Sequence, residues 1–354
     1  SSIQTNTAYY YAFAASPNEW TGNTVPAETS DDYSANFYNN WTMLFGKKLT
    51  NTDIFPVAKR IAWAANTVYA KYDNTSTKLA NSNFYVMTTP TETGGYYHIF
   101  KCIDNANGAP STIKPEVVQT STFETSDGYK WRYLTTVSYL QYQKFSSSNY
   151  FPVFANDIIS TYASTYSGVE VIMIANSGTG YSTYHDGTIQ SANSTIIQIE
   201  TANTSGQNDY YNNSAIYIYN EGSTTSQLFG ISSYVSNTSG KWCYIDGVAN
   251  TDNIFPNATK YKISPKVVFT SDGNTVPKAY SVVNTVSNNI SEIVMLDIGS
   301  GITWCNVRLT AAFGSGANLY AIVPPPGGHG YDTISELNIK GYSVNFFFAN
   351  TEGN

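Results

Sequence analysis

Residues 84–103 read FYVMTTPTETGGYYHIFKCI. Two runs of aromatic and β-branched residues, FYVMTT at 84–89 and YYHIFKCI at 96–103, flank a turn containing Gly94 and Gly95, which is the pattern of a β-hairpin. Alternation along the second run puts Tyr97, Ile99, Lys101 and Ile103 on one side, and Tyr96, His98, Phe100 and Cys102 on the other. A loop rich in Asn, Gly and Pro follows from Asp104 to Lys114. Beyond it YKWRYLTTVSYL, at 129–140, reads as another long aromatic strand. Its turn, Asp127-Gly128, places Tyr129, Trp131 and Tyr133 on one face as the core of a first domain. Lys130 and Arg132 are then expected on the opposite, wetter face. Pro152 marks 150–154 as a short edge strand.

Working outward, Tyr33, Phe37, Trp41, Leu44 and Phe45 recur at helical spacing, predicting a helix over 31–45 with Ser30 as cap and Gly46 as stop. Residues 57–73 mix helix-favouring alanines with strand-favouring Thr67, Val68 and Tyr69. Near Asn156 the aromatics thin out, and Val, Ile, Ser, Thr and Gly alternate to about Pro324. Inside this stretch VEVIMIANSGTGYS (169–182) resembles SEIVMLDIGSGITW (291–304), each an apolar strand ending in a GxG turn, at Gly178 and Gly180 or Gly299 and Gly301. The run PPPGGHG at 324–330 reads as a hinge, and GYSVNFFFAN at 341–350 as a final buried strand. The expected fold is mainly β with a few helices, in two-layer β-sandwich-like domains. Residues 1–155 form a first domain, 156–324 an inserted β domain, and 325–354 a strand returning to the first.

The chain has 354 residues, enough for a sizeable core without metals or disulfides. Charged residues make up only 12%, about half the usual ~25%, while 30 residues are Tyr. Charge depletion with aromatic enrichment is the signature of interface cores. A net charge of −7 argues against binding a phosphate backbone, and no apolar run approaches a membrane span. No Sec-type leader is expected. Cys102, Cys243 and Cys305 lack the spacing of a disulfide framework or zinc site, and read as reduced thiols.

Acid–base catalysis needs titratable groups, and the histidines are few: His98 in an aromatic strand, His185 in a turn over 184–187, and His329 in the glycine run. The GGHG run has no GxSxG partner, and neither GxG turn leads into a GK[ST]. Asp104, Asn105, Asn107 and Gly108 resemble part of a calcium loop, but Pro115 stands where the bidentate Glu is required. No catalytic residue, metal ligand or cofactor is expected. Dispersed Trp and Tyr residues leave a carbohydrate-binding or adhesin-type β module as the alternative to a structural subunit.

The order of FYVMTT, YHIFKCIDNANGAPSTIKPE (97–116) and FETSDGYKWRYLTTVS (123–138) resembles the baseplate wedge subunit family of T4-like contractile-tailed phages. Lys101, Cys102, Gly108, Pro110, Asp127, Gly128, Tyr129, Trp131 and Tyr133 carry the resemblance as structural motif residues. FGKKL at 45–49 and the spacing of Arg60, Trp63, Val68, Tyr69, Tyr72 and Asp73 add to it, while the glycine turns of the middle region look like cyanophage members. The resemblance implies a β-rich, non-enzymatic homodimer in the virion tail baseplate, assembled in the host cytoplasm. Its partners would be other wedge proteins, including the arm linked to the tail fibres, with neither nucleic acid nor membrane involved.

Overall fold

The computed structural model describes residues 9–15, 43–339 and 341–346, and the fold is mainly β with a few short helices. Strands β1 (Tyr10–Ala15) and β2 (Met43–Leu49) pair antiparallel as a two-stranded ribbon. Residues 43–45 of the expected helix are therefore strand, and 31–42 lie outside the described residues. Pairing with β1 overrides helical spacing at this end. Gly46 is not a helix stop but an interior strand residue opposite Phe13, and a Cβ there would stand 2.5 Å from the Phe13 ring.

Strand β3 (Ile54–Lys59) is followed by extended chain tied through single bridges, Ala62 to Met87 and Thr67 to Ser111. Strands β4 (Tyr85–Thr88), β5 (Tyr97–Asn105), β6 (Phe123–Glu124) and β7 (Tyr129–Val137) form an antiparallel sheet in the order β4-β5-β7-β6. The hairpin of 84–103 is its first unit, with Tyr85 opposite Lys101 and Thr88 opposite His98. Strand β7 stops short of residue 140 because Ser138 and Gln141 form a reciprocal capping box that starts helix α1 (Tyr139–Phe145). Among the described residues strand β8 (Tyr150–Pro152) pairs only with β3, and helix α2 (Asp157–Tyr166), capped by Asn156, opens the next region.

Both faces of the four-stranded sheet are covered. Phe100, Cys102, Tyr129, Trp131 and Tyr133 pack on one side with Tyr69 and Ile159, and Ile99, Ile103 and Leu134 pack on the other with Phe151 and Leu337. Tyr129 and Trp131 stack at 5.4 Å, so the aromatic row is core. The expectation of a wet opposite face fails at Arg132, which is only 2% exposed.

After β9 (Val171–Thr179) come β10 (His185–Ala192), β11 (Ile196–Ile199), β12 (Ser214–Tyr219), β13 (Ser226–Asn237), β14 (Gly240–Ile245) and β15 (Lys260–Ser271). They pair in the order β10-β11-β14-β13-β12-β15, and β15 pairs back to β10, closing an antiparallel barrel. Ile189, Ile197, Ile216, Tyr234 and Tyr261 fill its interior. Closure removes the open edges that such short strands would otherwise expose. His185 is the first residue of β10, opposite Ile263, and not part of a turn.

Past Pro265 the second half of β15 leaves the barrel. Lys266 pairs with β16 (Lys278–Asn284), which pairs with β17 (Asn289–Asp297), and residues 266–271 pair with β18 (Cys305–Thr310). A second layer, β9 with β19 (Ser315–Ile322), packs Ile172, Leu319 and Ala321 onto Val267, Ala279 and Val307. The two GxG copies adopt one local geometry. Gly178 N–H donates to Asn176 Oδ1 and Gly299 N–H to Asp297 Oδ1, both at 2.9 Å, and all four glycines have positive φ. The copies run antiparallel side by side, joined by Val169 N–H to Ile298 O, Gly301 N–H to Ser167 O and Tyr181 N–H to Asn288 O. Helix α3 (Thr333–Glu336) and strand β20 (Gly341–Val344) follow, and β20 pairs with β3 at a sheet edge, so it is not the buried strand expected: Tyr342 and Val344 are exposed, and 347–350 lie outside the described residues.

Trp131→Ala leaves a cavity between stacked rings and is expected to cost about 3–5 kcal/mol. Chemical denaturation measures this, and an unchanged midpoint would contradict the packing assigned to Trp131.

Candidate functional site

Antiparallel register sets Lys101 of β5 directly opposite Arg132 of β7, so both cations project from the same face of a covered sheet. Lys101 is 0% exposed. Two unlike segments bring the compensating groups. Glycines 327, 328 and 330, all at positive φ, turn the chain so that His329 is buried, and α3 supplies Glu336. Lys101 Nζ lies 2.5 Å from Glu336 Oε2 and donates at 2.8 Å to His329 Nδ1. The Tyr72 ring sits 3.7 Å below that ammonium and meets the imidazole edge-on at 4.8 Å. Gly330 N–H donates to Glu336 Oε1. Glu170, just ahead of β9, pairs with Arg132 at 3.6 Å and accepts from the Thr122 hydroxyl, while the Tyr162 ring of α2 covers the guanidinium at 5.4 Å.

Burial governs the ionisation of this cluster. It lowers the Lys101 ammonium and the His329 imidazole, the latter further depressed by Lys101. For Glu336 burial is the largest influence and would raise the carboxyl, but the Lys101 ammonium and the His329 ring together outweigh it and hold the group at about 2. His329 lies 3.8 Å from Glu336 Oε2, too far for a hydrogen bond, so its Nδ1 serves Lys101.

The other motif residues form a separate, structural constellation. Asp127 Oδ2 accepts from Thr112 N–H at 2.7 Å, Ile113 N–H at 2.9 Å and the Ser111 hydroxyl at 3.2 Å, while Oδ1 accepts from the Thr125 hydroxyl and from Tyr129 N–H. Burial opposes the charge, but these donors keep the carboxyl below its ordinary value. Gly128 takes positive φ and donates to Thr125 O, and Gly108 donates to Asn105 Oδ1. Tyr129 O–H donates to Ala109 O beside the exposed Pro110. Tyr133 shares a 2.6 Å bond with the Thr136 hydroxyl. The Cys102 thiol is buried and pushed up by desolvation. The structure thus joins Asp127, Gly128, Tyr129 and the 105–113 loop, and sets Lys101 apart from them.

Arg132, Glu170, His329 and Glu336 escaped sequence reasoning as members of one cluster. The available signal was Lys101 itself, a cation inside the apolar run IFKCI of a chain poor in charge. Among the described residues no group of three or more His, Cys, Asp or Glu side chains is placed to hold a metal, and no helix is long and apolar enough to cross a membrane. Asn105 spends its carboxamide on Gly108 N–H and Tyr69 O, and Asp104 lies 3.8 Å from Lys71.

Asp127→Ala is expected to cost about 1–3 kcal/mol, because five donors, partly buried or exposed, lose a charged acceptor. Its denaturation midpoint measures this. His329 is held neutral in the fold, so below its ordinary value of 6.5 the unfolded chain binds a proton that the folded chain refuses, and stability falls as pH falls. His329→Gln keeps an acceptor for Lys101 and removes this linkage. Its stability curve should be flatter from pH 6.5 downward, by up to about 1.4 kcal/mol per pH unit. Superimposable curves for variant and wild type would refute the buried neutral imidazole. No protein-family model, no curated protein and no solved structure matches this chain.

Proposed function

We propose that the chain is a structural subunit of a contractile-tail baseplate wedge, working by packing against neighbouring wedge proteins and a second copy of itself. The observation that carries this reading is the β1–β2 ribbon. Tyr11 and Phe13 on it and Tyr9 just ahead of it are 53%, 62% and 75% exposed, with Tyr11 and Phe13 stacked at 6.3 Å and Lys48 over Tyr9 at 3.9 Å. A two-stranded ribbon is marginal alone, and clustered exposed aromatics are the usual anchors of an interface. The motif residues that resemble the wedge family support the same reading, since apart from Lys101 and the exposed Pro110 they are spent on internal packing and turns. The inserted middle region then offers its own contact surfaces.

A glycan-binding module would present ring faces to solvent. In the middle region Tyr217 stacks on Tyr280 at 4.6 Å and on Tyr219 at 5.3 Å, so these three faces are turned on one another, while Trp304 and Tyr96 stay exposed as single rings. Sedimentation of the full chain, alone and mixed with the wedge proteins of the same tail, tests the proposal. A dimer that co-sediments with a wedge partner is expected, and the pair Tyr11→Ser and Phe13→Ser should weaken that binding by about 2 kcal/mol or more. A strict monomer that binds none of them would overturn it.

A further inference from the structure

We propose that Lys101 and Glu336 condense to an amide, an intramolecular cross-link that ties the 324–339 segment covalently to the four-stranded sheet. The inference is independent of the baseplate reading. Four features converge on it: a fully buried amine, a buried carboxyl 2.5 Å away, an imidazole nitrogen 2.8 Å from the amine, and a backbone N–H on the second carboxyl oxygen. Leu337, Phe151, Ile99 and Ile103 exclude water around them.

The step balances with these groups alone. The Lys101 ammonium passes one proton to Glu336 Oε2 along their short contact, giving a neutral amine and a carboxylic acid without change of net charge. Arg132, opposite on β7, favours that neutral amine, as does burial. The nitrogen lone pair attacks Cδ, the C–N bond forms, and the carbonyl π pair moves onto Oε1, where Gly330 N–H stabilises it as an oxyanion. His329 Nδ1 takes a proton from the now cationic nitrogen and delivers it to the Oε2 hydroxyl. The carbonyl re-forms, the C–Oε2 bond breaks, and water leaves. No oxidant or co-reactant is needed. Fixed placement of amine and acid supplies the high effective molarity that amide formation lacks in solution. The product removes two charges from a site where an ion pair is costly to hold.

Intact mass measurement on the folded full chain tests this. The wild type should be lighter than its sequence mass by one water, and a tryptic digest should contain a branched peptide joining the strand around Lys101 to the segment around Glu336. Lys101→Arg, which keeps the charge but cannot condense, should show its full sequence mass. His329→Ala should form the link about a hundredfold more slowly, following mass against time after refolding. A folded wild type at full sequence mass after prolonged incubation at neutral pH, with free Lys101 in the digest, would overturn the proposal whatever the variants do.

Discussion

Two cations placed directly opposite each other on neighbouring strands repel, and in a dry layer neither can be left bare. Lys101 and Arg132 impose this condition on the first sheet, and much of the tertiary arrangement answers it. Glu170 arrives from the chain between α2 and β9, and His329 and Glu336 arrive from the segment after β19. Neutralising Lys101 therefore requires a residue 235 positions away to return to the sheet that the hairpin began. The same face that carries the cations is packed by Leu337 and Phe151, so polar satisfaction and apolar burial fix one docking of the segment.

The parts of the fold encoded locally were legible. Alternation in 84–103 and 129–137, the Asp-Gly turn and the edge proline each carry their own signal, because strand propensity and turn chemistry act over a few residues. What failed was information held between distant segments. Leu44 and Phe45 fit a helical stripe, yet β1 supplies a partner for pairing, and tertiary context outweighs propensity. Arg132 reads as outward-facing because alternation distinguishes two faces without saying that both are covered. His329, in what reads as a loose glycine hinge, is instead gripped, since the positive φ values of its neighbours aim it at Lys101. The Ser138 and Gln141 capping box was visible in principle, but a run of strand formers preceding it masked the boundary.

The middle region shows how weak internal similarity becomes structure. Its two glycine turns are alike in hydrogen bonding and backbone conformation, and the copies meet through backbone bonds in both directions at one end and a single one at the other. Glycine is required at these places for steric reasons as well. A Cβ on Gly178 would meet the Ala317 nitrogen and the Ser315 oxygen at 2.6 Å, and one on Gly299 would meet the Thr275 oxygen at 2.6 Å.

Strand β15 belongs to two bodies at once: its first half closes the barrel, and its second half pairs with β16 and β18. The barrel is thus joined to its neighbour through a shared, paired strand and not through a linker there. Any twist or pull applied to it passes through a continuous peptide backbone, clamped by neighbours on either side of Pro265. Such a joint behaves like a through-bolt: stiffness does not depend on how well two surfaces adhere, and failure would begin with shearing of the flanking ladders.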